Sequence, residues 1–115
     1  MKCLATIEEL RQKKTITFRF SREGIQHDGF LAWHEGQVLA YENRCRHIPI
    51  SLDYGDGRFF TPDGKFIICQ THGATYEAVT GKCVAGPCPG TFLAKVPIKV
   101  ENDGIFLIEE DEVEA

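Results

Sequence analysis

Between Thr15 and Phe20 the side chains alternate, Thr15-Ile16-Thr17-Phe18-Arg19-Phe20, with the two-residue period of a strand that buries one face. Phe30-Leu31-Ala32-Trp33 and Val38-Leu39-Ala40-Tyr41 are short apolar runs that predict two further strands. His34-Glu35-Gly36-Gln37 lies between them, with the length and the glycine of a tight hairpin. Phe59-Phe60 and Lys65-Phe66-Ile67-Ile68 flank Thr61-Pro62-Asp63-Gly64, a strong turn signal. Near the other end Val96, Ile98 and Val100 recur at every second position, Glu101-Asn102-Asp103-Gly104 turns the chain, and Ile105-Phe106-Leu107-Ile108 returns. Residues 1–11 set Leu4, Ile7 and Leu10 among Glu8 and Glu9, which suits a short helical turn or an ordered lead-in. The segments 43–58 and 73–91 are rich in turn formers and read mostly as loop.

Short strands separated by turns predict an all-β, antiparallel architecture with helix confined to a turn or two. At 115 residues the chain suits one domain. Its 43% hydrophobic and 26% charged residues are ordinary for a globular protein. The formal net charge of -4 argues against nucleic acid or an anionic membrane surface as partner. No run approaches the roughly 20 apolar residues that span a bilayer, and no apolar leader stands before Cys3. The expectation is therefore a monomeric, cytoplasmic protein in a reducing setting, in which Cys83 and Cys88 are partly buried thiols rather than a disulfide. Trp33 and the eight phenylalanines read as core, and His27 and His34, beside turn residues, as exposed.

The candidate chemistry lies between Cys45 and Pro89. Cys45-Arg46-His47 and Cys69-Gln70-Thr71-His72 offer one thiolate and one imidazole each, from two separate loops. All-cysteine ferredoxin sites have other spacings, and mixed zinc-finger sites usually pair like ligand with like. A mononuclear zinc site built from the same four residues is the alternative.

The arrangement resembles the Rieske 2Fe-2S family, most of all its small soluble ferredoxins. The match continues through His72-Gly73-Ala74-Thr75-Tyr76, Thr80-Gly81 and Gly86-Pro87-Cys88-Pro89. The resemblance implies a β sandwich or barrel base, residues 1–42 and 91–108, with a small cluster-binding subdomain, 43–90, inserted into it. An acidic tail, 109–115, lies beyond. It implies that Cys45 and Cys69 hold one iron of a 2Fe-2S cluster and His47 and His72 the other. Two ferric ions, two sulfides, two thiolates and two neutral imidazoles sum to zero charge, so an electron is added more easily than to a four-thiolate cluster. Potentials are accordingly roughly −150 to +300 mV against about −400 mV for plant-type clusters. By the same resemblance, Gly73 lets backbone N–H groups approach the sulfides and the Tyr76 hydroxyl bonds the Cys45 thiolate. Ala74 stands where high-potential members place a serine, and Gly86 and Pro87 belong to a loop covering the cluster. The chain departs from the family pattern at Pro49 and Gln70, and in the long gap 48–68. Ile50 and Thr71 stand near the places where the high-potential branch carries a disulfide.

The resemblance also implies a soluble one-electron carrier rather than an enzyme by itself. Its donor would be a flavoprotein reductase and its acceptor a terminal oxygenase or another redox enzyme. It would dock through the tip 44–50, 70–75 and 86–89, where Arg44 and Arg46 flank Cys45. The alternatives are a small accessory subunit, like that of assimilatory nitrite reductase, or a zinc-binding interaction module.

Overall fold

The computed structural model describes residues 2–44, 52, 59–70, 73–86 and 90–108. Nine strands and one short helix are found among them, in three antiparallel sheets.

The middle sheet is a meander of β2 (Thr15–Arg22), β3 (Ile25–His34) and β4 (Gln37–Glu42). Both of its hairpins close through two residues at positive φ, Glu23-Gly24 and Glu35-Gly36. That geometry matches the twist of the flanking strands. The second turn is the one expected at 34–37. The first is not legible in the sequence pattern, because Ile25-Gln26-His27-Asp28 lacks an apolar period and is mostly exposed.

Successive side chains of β3 and β4 point to opposite faces, and both faces are covered. Phe30, Ala32, Leu39 and Tyr41 join one apolar cluster with Leu52, Phe59, Ile67, Cys69, Ala74, Tyr76, Ala78, Cys83 and Leu93. Phe20, Leu31 and Ala40 join the other, with Ala5, Leu10, Val96, Ile105 and Leu107. Burial on two sides explains why Phe30-Leu31-Ala32 is a continuous apolar run rather than an alternating one. Each large side chain removed from water there contributes roughly 1.5–3 kcal/mol.

The second sheet orders β1 (Lys2–Thr6), β9 (Gly104–Leu107) and β8 (Ile98–Glu101), so the two ends of the described chain pair directly. The lead-in expected over 1–11 is thus a strand followed by a helix, α1 (Ile7–Lys13). Thr6 caps the helix: its hydroxyl accepts from Glu9 N–H at 3.1 Å while the Glu9 carboxylate accepts from Thr6 N–H at 3.2 Å. Leu10 is fully buried beneath it. Among the described residues no helix is long and apolar enough to cross a membrane.

The third sheet orders β5 (Phe66–Ile68), β6 (Thr75–Glu77) and β7 (Cys83–Ala85). The turn at Thr61-Pro62-Asp63-Gly64 is present: Phe60 bridges Ile67, and Thr61 N–H donates to Phe66 O at 2.8 Å. Within 73–91, read as mostly loop, lie two short strands, β6 and β7, of three residues each and too short to show a period. The expectation that all phenylalanines are core fails at Phe66 and Phe92, which are exposed. Phe92 lies opposite Lys82 on the strand side turned away from the buried Cys83.

Candidate metal centre

Cys69 is the one member of the thiol–imidazole set that lies within the described residues. It comes directly after β5 and is fully buried. Its N–H donates to Ala74 O at 2.8 Å, and its carbonyl accepts from Gly73 N–H at 2.9 Å. These two bonds close the β5–β6 hairpin at Cys69, Gly73 and Ala74. Thr71 and His72 lie outside the described residues, as do Cys45, His47 and the neighbouring Arg46.

Gly73 leaves the turn at φ +76, a conformation that costs a residue with a side chain roughly 1–3 kcal/mol. A methyl group built on it would meet no atom within 4 Å, so the backbone angle, rather than space, calls for glycine there. Its own N–H is engaged by Cys69 O. Gly86 differs. Its φ is +97, and a methyl group on it would stand 2.7 Å from Ala74 Cα and 3.2 Å from Gly73 O. The third loop is therefore pressed flush against the second, with Ala74 fully buried between them. Pro87 and Cys88 lie outside the described residues.

Tyr76 is fully buried and pairs across the sheet with Ile67 and Cys83. The hydroxyl partner expected for it, Cys45, lies outside the described residues. Cys83 is itself buried, with its sulfur 3.3 Å from Ala85 O. Cys83 N–H donates to Thr91 O at 2.7 Å and its carbonyl accepts from Gly90 N–H at 3.1 Å, closing the third loop at its base.

Sequence reasoning misses the residues that tie these loops to the sheets. Leu52 is fully buried. Its N–H donates to Asn43 Oδ1 at 2.8 Å, and its carbonyl accepts from Gln70 N–H at 2.8 Å. A lone leucine in a stretch otherwise rich in Ser, Asp, Tyr and Gly is the signal that could have found it. Tyr41 holds the β6–β7 turn: its hydroxyl lies 2.6 Å from Ala78 O and 2.9 Å from Val79 O. Burial, with the Glu77 charge adding to it, pushes the Tyr41 hydroxyl up to about 12. Thr80 Oγ1 completes that turn by donating to Glu77 Oε1 at 2.9 Å.

The electrostatics at the foot of the first segment are set by Glu42. It is 7% exposed, and its carboxylate lies 3.4 Å from both Arg22 Nη1 and His27 Nδ1. His27 stacks on Phe20 and His34 on Phe60. Both imidazoles are largely covered, against the expectation of exposure, because β3 carries them inward over aromatic neighbours. Arg44 is exposed and, among the described residues, its guanidinium has no acidic partner. It borders a recess of about 260 Å³ shared with Arg22, His27, Glu42 and Ala94.

The buried Cys69 thiol lies in the same tied hairpin as Ala74, against which Gly86 of the next loop packs so closely that a methyl group would not fit. With two thiols and two imidazoles in the donor set, these residues fit a 2Fe-2S cluster with mixed ligands.

A family model described as "Rieske [2Fe-2S] domain" matches residues 1–102. The oxidoreductase NdmD of Pseudomonas putida is 42% identical over 52 residues, 45% of this chain and 8% of that protein. The chain thus spans a small part of the curated relative it matches. Among solved structures, the ferredoxin of carbazole 1,9a-dioxygenase from Nocardioides aromaticivorans IC177 superposes with a TM-score of 0.67 at 21% identity, over 96% of this chain and 100% of that one. A chain from the complex of reduced oxygenase and oxidized ferredoxin in carbazole 1,9a-dioxygenase gives 0.68 at 22% identity, over 92% of this chain and 99% of that one. At these identities the structural likeness establishes the fold.

Proposed function

The chain belongs to the Rieske [2Fe-2S] domain family, and on that premise we propose that it is a soluble one-electron carrier. Its cofactor is a Rieske-type 2Fe-2S cluster. Cys45 and Cys69 would hold one iron, and His47 and His72 the other. When bound, the group supplies a reversible one-electron couple in the range roughly −150 to +300 mV, within reach of flavin and quinol-level donors. The protein's own residues shape that couple. The Cys69 hairpin and the Gly86 contact limit water. Pro87 would extend the cover, Tyr76 would supply a hydroxyl toward the Cys45 thiolate, and Ala74 has none to offer.

The donor is a flavoprotein reductase and the acceptor an oxygenase or another redox enzyme. The solved ferredoxin–oxygenase complex whose fold this chain shares supports that direction of transfer. The base, 1–42 and 91–108, would carry the cluster-binding subdomain, 43–90, to a partner in the cytoplasm, the carrier itself being a monomer. The single observation that carries the reading is the buried Cys69 in its twice-bonded turn, within a chain that matches the family over residues 1–102.

The test is analysis of the purified protein. It should be red-brown, with about two irons and two acid-labile sulfides per chain, and reduction should give an electron paramagnetic resonance signal with average g below the free-electron value. Zinc without sulfide would defeat the proposal and leave a zinc-binding interaction module. A second reading, a small accessory subunit of a larger redox enzyme, draws support from NdmD, in which the matching segment is 8% of a larger oxidoreductase. A complex that survives gel filtration would favour it over a shuttle.

A further inference from the structure

The two cysteine–histidine segments follow different strands in the sequence, and hydrogen bonds through Leu52 link Asn43, before the first, to Gln70, within the second. Asn43 comes directly after β4, and its N–H donates to Asp28 O at 2.8 Å, which fastens it to β3. Its side-chain Oδ1 accepts from Leu52 N–H at 2.8 Å, closing the chain across residues 44–51, where Cys45 and His47 stand in the sequence. The Leu52 carbonyl in turn accepts from Gln70 N–H at 2.8 Å, next to Cys69. The Leu52 side chain is fully buried in the cluster of Phe30, Phe59, Ile67 and Tyr76, so the link between the loops is anchored in the core.

We propose that Asn43 is a positioning residue for the metal centre, its amide oxygen setting the spacing between the Cys45–His47 segment and the Cys69–His72 hairpin through the Leu52 backbone. The proposal rests on the cluster-binding reading above. Asparagine suits the task because its oxygen reaches across the loop base while adding no charge beside the cluster. Serine is one bond too short. Aspartate keeps the oxygen but adds a negative charge, which favours the oxidised state. A leucine leaves the part-buried Leu52 N–H without its Asn43 acceptor, so Leu52 keeps only its core packing and its bond to Gln70 and loses its tie to the end of β4.

The experiment compares the cluster-loaded unaltered protein with Asn43→Asp and Asn43→Leu. Three quantities are followed: bleaching of the visible spectrum under excess iron chelator, the g-values of the reduced protein, and the reduction potential. Asn43→Leu should bleach about tenfold faster, as expected when a part-buried donor loses its partner, and show shifted g-values. Asn43→Asp should bleach within about twofold of the unaltered protein with unchanged g-values, its potential displaced downward by the added charge. Far-UV circular dichroism reports whether the sheets persist; should Asn43→Leu not fold, Asn43→Ser takes its place with the same expectation. Bleaching and g-values unchanged in the leucine or serine variant would overturn the proposal. So would an aspartate variant as labile as the leucine one, because the oxygen would then not be what counts. An unaltered protein lacking iron and sulfide would overturn the cluster reading itself, and the proposal with it.

Discussion

Tyr41 shows how one side chain reaches from the middle sheet into the loops. Its hydroxyl meets the Ala78 and Val79 carbonyls, and its ring lies in the core beside Phe30. Tyr41→Phe keeps the ring and strands those carbonyls, so it should cost about 1–2 kcal/mol in urea unfolding. The same hydroxyl carries a pH dependence. Its ionisation is raised from 10.0 to about 12 in the folded state, so the neutral form is the favoured one. Its contribution is complete below pH about 10 and is lost as pH climbs toward about 12. Unfolding midpoints across that window should fall more steeply for the unaltered protein than for Tyr41→Phe. Ala74 and Tyr76 bear on the potential instead. Ala74→Ser adds a hydroxyl at a fully buried position between the second and third loops, and should raise the potential in protein-film voltammetry. Tyr76→Phe should lower it. No shift in either variant would remove both from the set of tuning residues.

At the scale of elements, the second and third loops owe their shape to two glycines with different demands. Gly73→Ala meets only the positive φ and should cost about 1–3 kcal/mol. Gly86→Ala adds a clash at 2.7 Å with the Ala74 backbone, which cannot yield without moving the Cys69 hairpin. It should therefore cost more than Gly73→Ala in denaturant unfolding and also speed cluster loss under chelator. Equal behaviour of the two variants would show that the contact between the loops is dispensable. The hairpin that carries Cys69 is readable only in part. Ile67-Ile68 announces a strand, but β6 and β7 are held as strands by pairing with β5 and by packing of Tyr76 and Cys83 on the middle sheet. Three residues carry too little local preference to declare themselves.

At the scale of the whole molecule, an acidic chain presents a basic point beside its first cysteine–histidine segment. Arg44 is exposed, and Arg46 stands two positions further along the sequence. Charge reversal, Arg44→Glu or Arg46→Glu, should slow reduction or oxidation by a partner while leaving the visible spectrum unchanged. The rate for the unaltered protein should fall with added salt as the pair is screened. Reversal in the tail at Glu110 or Asp111 should matter less; a crippled tail variant beside a normal Arg46 variant would move the docking face elsewhere. The sequence by itself determined the all-β class, the turns at 34–37, 61–64 and 101–104, and the thiol–imidazole pairs whose chemistry implies the cofactor. Those are local properties: a period of two, residues that favour tight turns, and donor atoms of fixed identity. Only the tertiary structure decided that β1 pairs with β9, that His27 and His34 turn inward, that Gly73 N–H serves the Cys69 carbonyl, and that Leu52 joins Asn43 to Gln70. Each depends on partners far apart along the chain, brought together by burial on both faces of the middle sheet, and no window of neighbouring residues contains that information.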